Sequence, residues 1–212
     1  MALTYTQLVD AVQSTAENYE STFVASIPLF VRQAEKHVYN TVYIPSLRRN
    51  QVGFFSQDNA YLTMPEDFLA VYSMAVVQPG GTFSYLFNKD VSYIREAYSN
   101  DAVTGVPKHY AIFDDVSFIV GPTPNDDYQV ELHYYYYPPS IVDAGTSWLG
   151  DNFDHVLLYG TLINAYIFMK GEEDVLKMYQ ERYGEGIKQL ERLGSGMNRR
   201  DEYRSGAKRL SV

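Results

Sequence analysis

The chain has 212 residues, of which 46% are hydrophobic, enough for one globular domain of moderate size or one that carries an insertion. Its net charge of −9 argues against general nucleic-acid binding, which needs clustered lysine and arginine. The absence of cysteine excludes disulfides, thiolate catalysis and zinc–cysteine sites. The first residues lack the basic and apolar regions of a signal peptide, and the longest apolar stretch, 156–169, is too short to span a membrane. We therefore expect synthesis in a cytoplasm and no membrane partner.

The N-terminal part of the chain has helical spacing. Thr4 and Gln7 fit a capping box that opens a first helix, and residues 18–20 look like a break. Pro28 suits a first helical position, and apolar residues at three- and four-residue intervals then predict a helix ending near Tyr43. Three charged residues lie off that apolar stripe and are expected in solvent: Arg32, Glu35 and Lys36.

The middle of the chain alternates short β-rich runs with turn residues. The runs predict seven strands, at 51–56, 60–63, 69–77, 82–87, 109–113, 116–120 and 128–137. The pair Asp114-Asp115 predicts a tight hairpin, and residues 121–127 predict a longer one. Asp90 can cap one short helix, 91–98. Short strands joined by turns indicate an antiparallel sandwich or small barrel.

Helical spacing returns in the last third of the chain. Asp151 or Asn152 can cap an apolar, central helix that ends near Lys170. A last helix begins at the acidic residues 172–174, and Gly194 is a plausible stop. Its apolar seam consists of Leu176, Tyr179, Tyr183, Gly186, Leu190 and Leu193. Packing against another helix explains this seam without any function.

The most unusual stretch is VELHYYYYPPS, residues 130–140, in which two prolines follow four tyrosines. Alternation predicts a buried face made of Tyr128, Val130, Leu132, Tyr134 and Tyr136. The opposite face carries Gln129, Glu131, His133, Tyr135 and Tyr137. A half-buried strand explains most of the stretch, but Tyr135 and Tyr137 are left over. Their rings need a partner surface or a ligand.

Helices thus flank a β-region at both ends, which predicts the α+β class. The simplest architecture is a helical bundle, 1–48 and 140–194, with an inserted antiparallel β-domain, 49–139. Residues 195–212 read as a flexible basic tail. This tail holds five basic and two acidic residues, so it carries +3 and leaves −12 on the rest of the chain.

Motifs that carry chemistry are almost absent. The four histidines lie far apart without metal-binding spacing, and there is no phosphate loop or nucleophile elbow. Asp126-Asp127 lack calcium-loop spacing, and helix capping explains Asp151 and Asp154 better than catalysis does. We therefore expect no enzyme activity, no catalytic residue, no metal and no cofactor.

Six stretches, taken in order, carry a resemblance: residues 4–39, 61–76, 104–115, 130–141, 146–160 and 192–206. Together they resemble the head-to-tail adaptor (connector) proteins of tailed bacteriophages, and are similar to the tail tubular A type of short-tailed phages. The resemblance covers nearly the whole chain and implies a helical bundle with a β-rich insertion. No single motif is specific, so the order of the stretches carries the resemblance.

The resemblance implies a structural protein of the virion neck. Adaptor subunits, usually twelve, would form a homo-oligomeric ring under the portal protein, with the next tail or nozzle protein on the other side. Genome DNA would pass through the channel without sequence-specific binding. The portal contacts implied in the tail are Arg199, Arg200, Tyr203, Arg204, Lys208 and Arg209.

The leftover tyrosines fit this role, because tyrosine is favoured at protein interfaces. We expect Tyr134 and Tyr136 in the core, and Tyr135 and Tyr137 against a neighbouring subunit or the next tail protein. Three alternatives stay open: a carbohydrate-binding β-module that stacks tyrosines on sugars, a hydrolase that uses scattered carboxylates, and another neck protein such as a stopper or tail-completion protein.

Overall fold

The computed structural model describes residues 3–78, 80–100 and 103–197. Its helices are α1 (Tyr5–Ala16), α2 (Ser21–Thr41), α3 (Val91–Ala97), α4 (Ile141–Ala144), α5 (Trp148–Asn152), α6 (Asp154–Met169) and α7 (Glu173–Met197). Its strands are β1 (Arg48–Phe55), β2 (Tyr61–Thr63), β3 (Phe68–Val77), β4 (Phe83–Tyr85), β5 (Phe87–Asn88), β6 (His109–Ile112), β7 (Ser117–Gly121) and β8 (Tyr128–Tyr136). The predicted α+β class is confirmed.

The chain divides into two compact units. Residues 47–137 form one, called here the β unit, and the segments on either side form the other, the helical unit. The β unit begins and ends on paired strands, since Arg48 lies opposite Tyr135. The chain therefore enters and leaves this unit at one place, as an insertion requires. That residues 49–139 form an inserted β-domain stays a prediction.

The start of the helical unit follows the predicted capping chemistry. The Thr4 hydroxyl accepts the Gln7 amide at 3.3 Å, and the Gln7 side chain accepts the Thr4 amide at 3.0 Å, which confirms the capping box. The placement of Pro28 at a helix start is wrong, because α2 begins at Ser21 and contains Pro28. The fully buried Phe23 and Ile27 extend the apolar stripe ahead of Pro28, and their burial outweighs one missing backbone hydrogen bond.

Glu35 is buried, which corrects the expectation that it is solvated. Its side chain is 2% exposed, and its Oε1 accepts the amide of Ile141, the first residue of α4, at 2.9 Å. Burial raises the pKa of this carboxyl, although hydrogen bonds from Ser140 and Ile141 act in the opposite direction. Arg32 and Lys36 are exposed as expected. The carboxyl of Glu35 thus supplies an acceptor for a helix start that is distant in sequence.

Ser147, rather than Asp151 or Asn152, provides the helix cap in the next segment. Its hydroxyl accepts the amide of Gly150 at 3.1 Å at the start of α5. Asp151 and Asn152 are the last residues of α5, so the prediction that one of them caps the following helix is wrong. Helix α6 begins after Phe153 and packs against α1, α2 and α7. This confirms that α6 is central.

Helix α7 packs on α6 through part of the predicted seam. Tyr179, Gly186 and Leu190 are buried, whereas Leu193 is exposed. A Cβ on Gly186 would lie 2.5 Å from Cγ2 of Val156, so the two helices approach more closely than a side chain allows. The prediction that Gly194 ends the helix is wrong, because α7 continues to Met197. That residues 195–212 form a flexible tail stays a prediction.

Gly194 has a packing role in place of the predicted stop. A Cβ there would lie 2.9 Å from the Tyr43 carbonyl oxygen. Glycine at this position therefore permits close contact with the chain just after α2.

The β unit is a sandwich of two four-stranded sheets. The first sheet has the order β1-β8-β3-β4, and the second has the order β2-β7-β6-β5. Both contribute to one apolar core, whose fully buried members include Phe55, Met74 and Phe118. All pairings between named strands are antiparallel except β5 with β6, which is parallel. The all-antiparallel prediction is therefore wrong for this pair.

Two predicted connections differ from the structure. The single strand expected at 82–87 divides at Leu86 into β4 of the first sheet and β5 of the second. Leu86 is buried in the core between the sheets, which explains why the chain changes sheet there. Residues 121–127 join β7 to β8 in different sheets, so this loop does not close a hairpin.

The β6–β7 hairpin is present, but its turn is longer than two residues. The Asp114 carboxylate organises it by accepting the Val116 amide at 2.9 Å and the Ser117 hydroxyl at 2.8 Å. Asp90 caps α3 as predicted, since it accepts the Ser92 amide. Helix α3 packs through Ile94 on the second sheet. The middle strands of that sheet, β6 and β7, are thus covered from within the β unit.

Gly186 offers a test of the helix packing. We expect Gly186→Ala to lower the free energy of unfolding by about 1–3 kcal/mol, because the added Cβ overpacks against Val156. Gly184→Ala is the matched control in the same helix, because a Cβ there meets open space. It should stabilise by about 0.5–1 kcal/mol through helix propensity. Urea unfolding followed by circular dichroism measures both, and equal effects would contradict the packing argument.

The buried Glu35 carboxyl predicts a pH dependence of stability. Its folded pKa lies above the ordinary value of 4.5, so the protonated form favours the fold and its contribution is lost as pH rises through the raised pKa. The stability of Glu35→Gln relative to the natural chain should therefore increase as pH rises from below 4.5. Denaturant midpoints at a series of pH values measure this difference. The exposed Glu181→Gln is the control, and a difference for Glu35→Gln that does not change with pH would contradict the assignment.

Candidate interaction surface

The tyrosine strand β8 buries the face that alternation predicts. Tyr128 and Tyr134 lie in the sandwich core, and Tyr136 packs against it. The Tyr134 hydroxyl donates to Oδ1 of Asp67 at 2.8 Å, and Arg49 pairs with the other oxygen of Asp67 at 2.5 Å. Burial and the Asp67 carboxylate raise the pKa of Tyr134 to about 12. This phenol is therefore a structural donor.

Tyr135 is only 8% exposed, so its ring is largely covered within the chain. That it faces a neighbouring subunit or the next tail protein stays a prediction. Its hydroxyl accepts a hydrogen bond from Nη2 of Arg48 at 2.8 Å. The guanidinium carbon of Arg48 lies 3.7 Å from the ring centroid of Tyr72, which makes a cation–π contact. Tyr137 remains 36% exposed, and its backbone amide donates to the Asp67 carbonyl at 2.8 Å.

Two irregularities in β3 place Tyr72 beside Tyr135. The register of β3 against β8 shifts between Phe68 and Ala70, and again between Val71 and Ser73. Each shift inserts one extra residue, and Tyr72 is the second of these. Bulges redirect side chains, so Tyr72 stands edge-on to Tyr135 with ring centroids 6.2 Å apart. Simple alternation could not show this contact.

The register defines the outer face of the first sheet, which points away from the sandwich core. Its residues are Arg48, Asn50, Val52 and Phe54 on β1, Gln129, Glu131, His133 and Tyr135 on β8, Ala70, Ser73, Ala75 and Val77 on β3, and Phe83 and Tyr85 on β4. No described helix of the β unit packs on this face, whereas α3 packs on β6 and β7 of the second sheet.

Large apolar side chains are exposed at both edges of this outer face. Val52 and Phe54 on β1 are 51% and 66% exposed, and Phe83 and Tyr85 on β4 are 49% and 63% exposed. Single exposed apolar residues are ordinary, but several on one sheet face mark a surface that binds another protein. These four residues, called here the edge pairs, were not singled out from the sequence.

A groove of about 200 Å³ lies beside the β4 edge pair on the same face. Its lining residues are Ser73, Ala75, Phe83, Tyr85, Glu131 and His133. Small side chains form its floor and aromatic rings one wall. The groove is large enough for a single side chain of a partner, which fits a protein-binding surface better than a site for a large ligand.

Two of the four histidines, His37 and His109, hydrogen-bond to tyrosine hydroxyls at 2.7 and 2.8 Å. Burial, together with Lys89 and Lys108, lowers the pKa of His109. In the described part of the chain, no cluster of three or more histidine, aspartate or glutamate side chains could hold a metal ion. Likewise, none of the described helices combines the length and apolar character needed to cross a membrane.

The residues predicted to bind the portal lie outside the described residues. These are Arg199, Arg200, Tyr203, Arg204, Lys208 and Arg209. The edge pairs, by contrast, are fully described but were missed. A sequence signal for them exists, because segments 50–55 and 82–87 hold no charged residue although 20% of the chain is charged.

Comparison with protein families gives one match. The model of the family described as SU10 adaptor protein matches residues 3–210, which is nearly the entire chain. No curated protein matches the sequence. The finer similarity to the tail tubular A type stays a prediction. With this match, the chain belongs to the SU10 adaptor protein family and is a structural adaptor protein of phage virions.

Proposed function

We propose that copies of this chain form a ring in the virion neck that joins the portal protein to the next tail protein and lets genome DNA pass. The observation that carries the proposal is the adaptor family match over residues 3–210. An adaptor must hold different components together, so it needs several binding surfaces on one small chain. The open outer face of the first sheet supplies one such surface.

The charge distribution supports separate roles for the tail and the rest of the chain. Residues 195–212 carry +3, whereas the remaining residues carry −12. We propose that the basic residues of this tail bind an acidic surface of the portal, and that many copies compensate for weak single contacts. An acidic channel wall would repel DNA phosphates, which lets the genome slide without binding.

Electron microscopy of this protein mixed with the portal protein of its own genome tests the proposal. The full chain should add a second ring to the portal. A chain ending at Met197 should add none, because it lacks the basic residues but keeps all of α7. A full-length variant in which the five basic residues of the tail become glutamine separates the effect of charge from that of length.

The outcomes of this experiment discriminate between the parts of the proposal. A ring that persists in both variants would support the adaptor role, but it would reject the tail as the segment that contacts the portal. No ring with any chain would reject the portal-joining role and favour another neck position or a carbohydrate-binding module. Binding of glycans by the isolated chain would then distinguish those two.

Tyr137 provides a prediction about the interface. It is the exposed member of the leftover tyrosine pair, so Tyr137→Ala should reduce the yield of rings while leaving the melting temperature within a few degrees of the natural chain. Tyr135→Ala should instead lower the free energy of unfolding by about 3–5 kcal/mol, because it removes a buried ring. Ring counts and thermal unfolding measure the two effects, and normal assembly of Tyr137→Ala would exclude that residue from the interface.

A further inference from the structure

We propose that neighbouring copies join through the two edges of the first sheet, with β4 of one copy pairing antiparallel to β1 of the next. This inference rests on the proposed function, in which copies form a ring. It specifies which surfaces of neighbouring copies are in contact and in which register their strands pair. Phe83 would lie opposite Phe54, Ser84 opposite Gly53 and Tyr85 opposite Val52 of the neighbouring copy.

Both edges are open in the single chain. The order β1-β8-β3-β4 leaves β1 and β4 each with one strand neighbour in the first sheet, and no described strand pairs with the other side of either. Proteins usually protect such edges with charged residues, proline or bulges. Strand β1 begins with Arg48 and Arg49, but its residues 50–55 contain neither a charge nor a proline, and β4 contains only Phe83, Ser84 and Tyr85. Unprotected edges of this kind accept a further strand.

The strand directions permit the contact. Each neighbouring pair in the first sheet is antiparallel, so β1 and β4 run in opposite directions at the two ends of a four-stranded sheet. When a second copy extends the sheet in the same orientation, its β4 lies beside β1 of the first copy and runs antiparallel to it. This contact uses two different surfaces of one chain, and a head-to-tail contact of that kind closes into rings when the rotation between copies allows it.

The pleat excludes registers that are shifted by one residue, and the exposed side chains select among the rest. Gly53 lies opposite Val130 and Ser84 opposite Val76, and both partners belong to the core, so Gly53 and Ser84 share the core-facing side. A shift by one residue would place the aromatic rings on the wrong face of the sheet. The proposed register matches the faces and covers both edge pairs, which are the most exposed apolar side chains on the two strands.

Cysteine cross-linking tests this contact, because the natural chain has no cysteine. Val52→Cys and Tyr85→Cys are prepared as separate chains, mixed, assembled with the portal and mildly oxidised. Directly opposite positions come within disulfide reach. We expect a cross-linked dimer from the mixture and none from either chain alone. Phe54→Cys mixed with Phe83→Cys is a second pair that tests the same register independently.

A double variant and a control complete the experiment. Val52→Cys with Tyr85→Cys in one chain should yield a ladder of cross-linked oligomers. A bond within one chain is excluded because three strand spacings, roughly 14 Å, separate the two edges. Val52→Cys mixed with Val116→Cys is the matched control, since Val116 is 58% exposed near the second sheet and should not cross-link. Circular dichroism confirms that each variant folds.

Each outcome supports or rejects the inference. Cross-links in both designed pairs support it. Dimers formed by Val52→Cys alone would show a two-fold contact and overturn it. Rings visible by microscopy without cross-links in either pair would overturn this contact and leave the proposed function intact. A ladder from the double variant without any ring on the portal would support the contact and reject the portal-joining role.

Discussion

The pairing of β8 with two strands is the constraint on which the first sheet depends. Strand β8 pairs with β1 along the whole of β1 and with β3 from Tyr136 to Gln129. It therefore fixes where both neighbours present their side chains. Its core face fills the sandwich, and its other face sets the floor of the open surface. The row of tyrosines serves both purposes. In the core, the Tyr134 hydroxyl donates a hydrogen bond to Asp67, and on the opposite face the Tyr135 hydroxyl accepts one from Arg48.

Much of the fold could be predicted because it follows from local rules. The capping box at Thr4, the cap at Asp90 and the alternation along β8 depend only on residues close in sequence. Several of the errors have a different cause, since they involve a partner distant in the chain. Glu35 is buried because Ile141 needs an acceptor 106 residues away, and a Cβ on Gly194 would approach the Tyr43 carbonyl. No window of local sequence contains such partners.

The candidate site was predicted less well than the fold, for a related reason. Alternation correctly assigned the two faces of β8, but it could not show that bulges in β3 bring Tyr72 to Tyr135 and bury that ring. The exposed edge pairs depend on which strands become edges, and strand order is a property of the whole sheet. The uncharged segments 50–55 and 82–87 indicated them only once that order was known.

The two sheets of the sandwich differ in a way that bears on assembly. Helix α3 packs through Ile94 on the two central strands of the second sheet, and no described helix of the β unit packs on the first. An exposed sheet face with unprotected edges promotes aggregation of a monomeric protein, because strands of other molecules can pair with the edges. In a chain that belongs to an adaptor family, the same feature is useful when the contact closes on itself, because a closed ring leaves no edge exposed. In the proposed ring, the net charge of −9 would favour association through those surfaces where charge is absent.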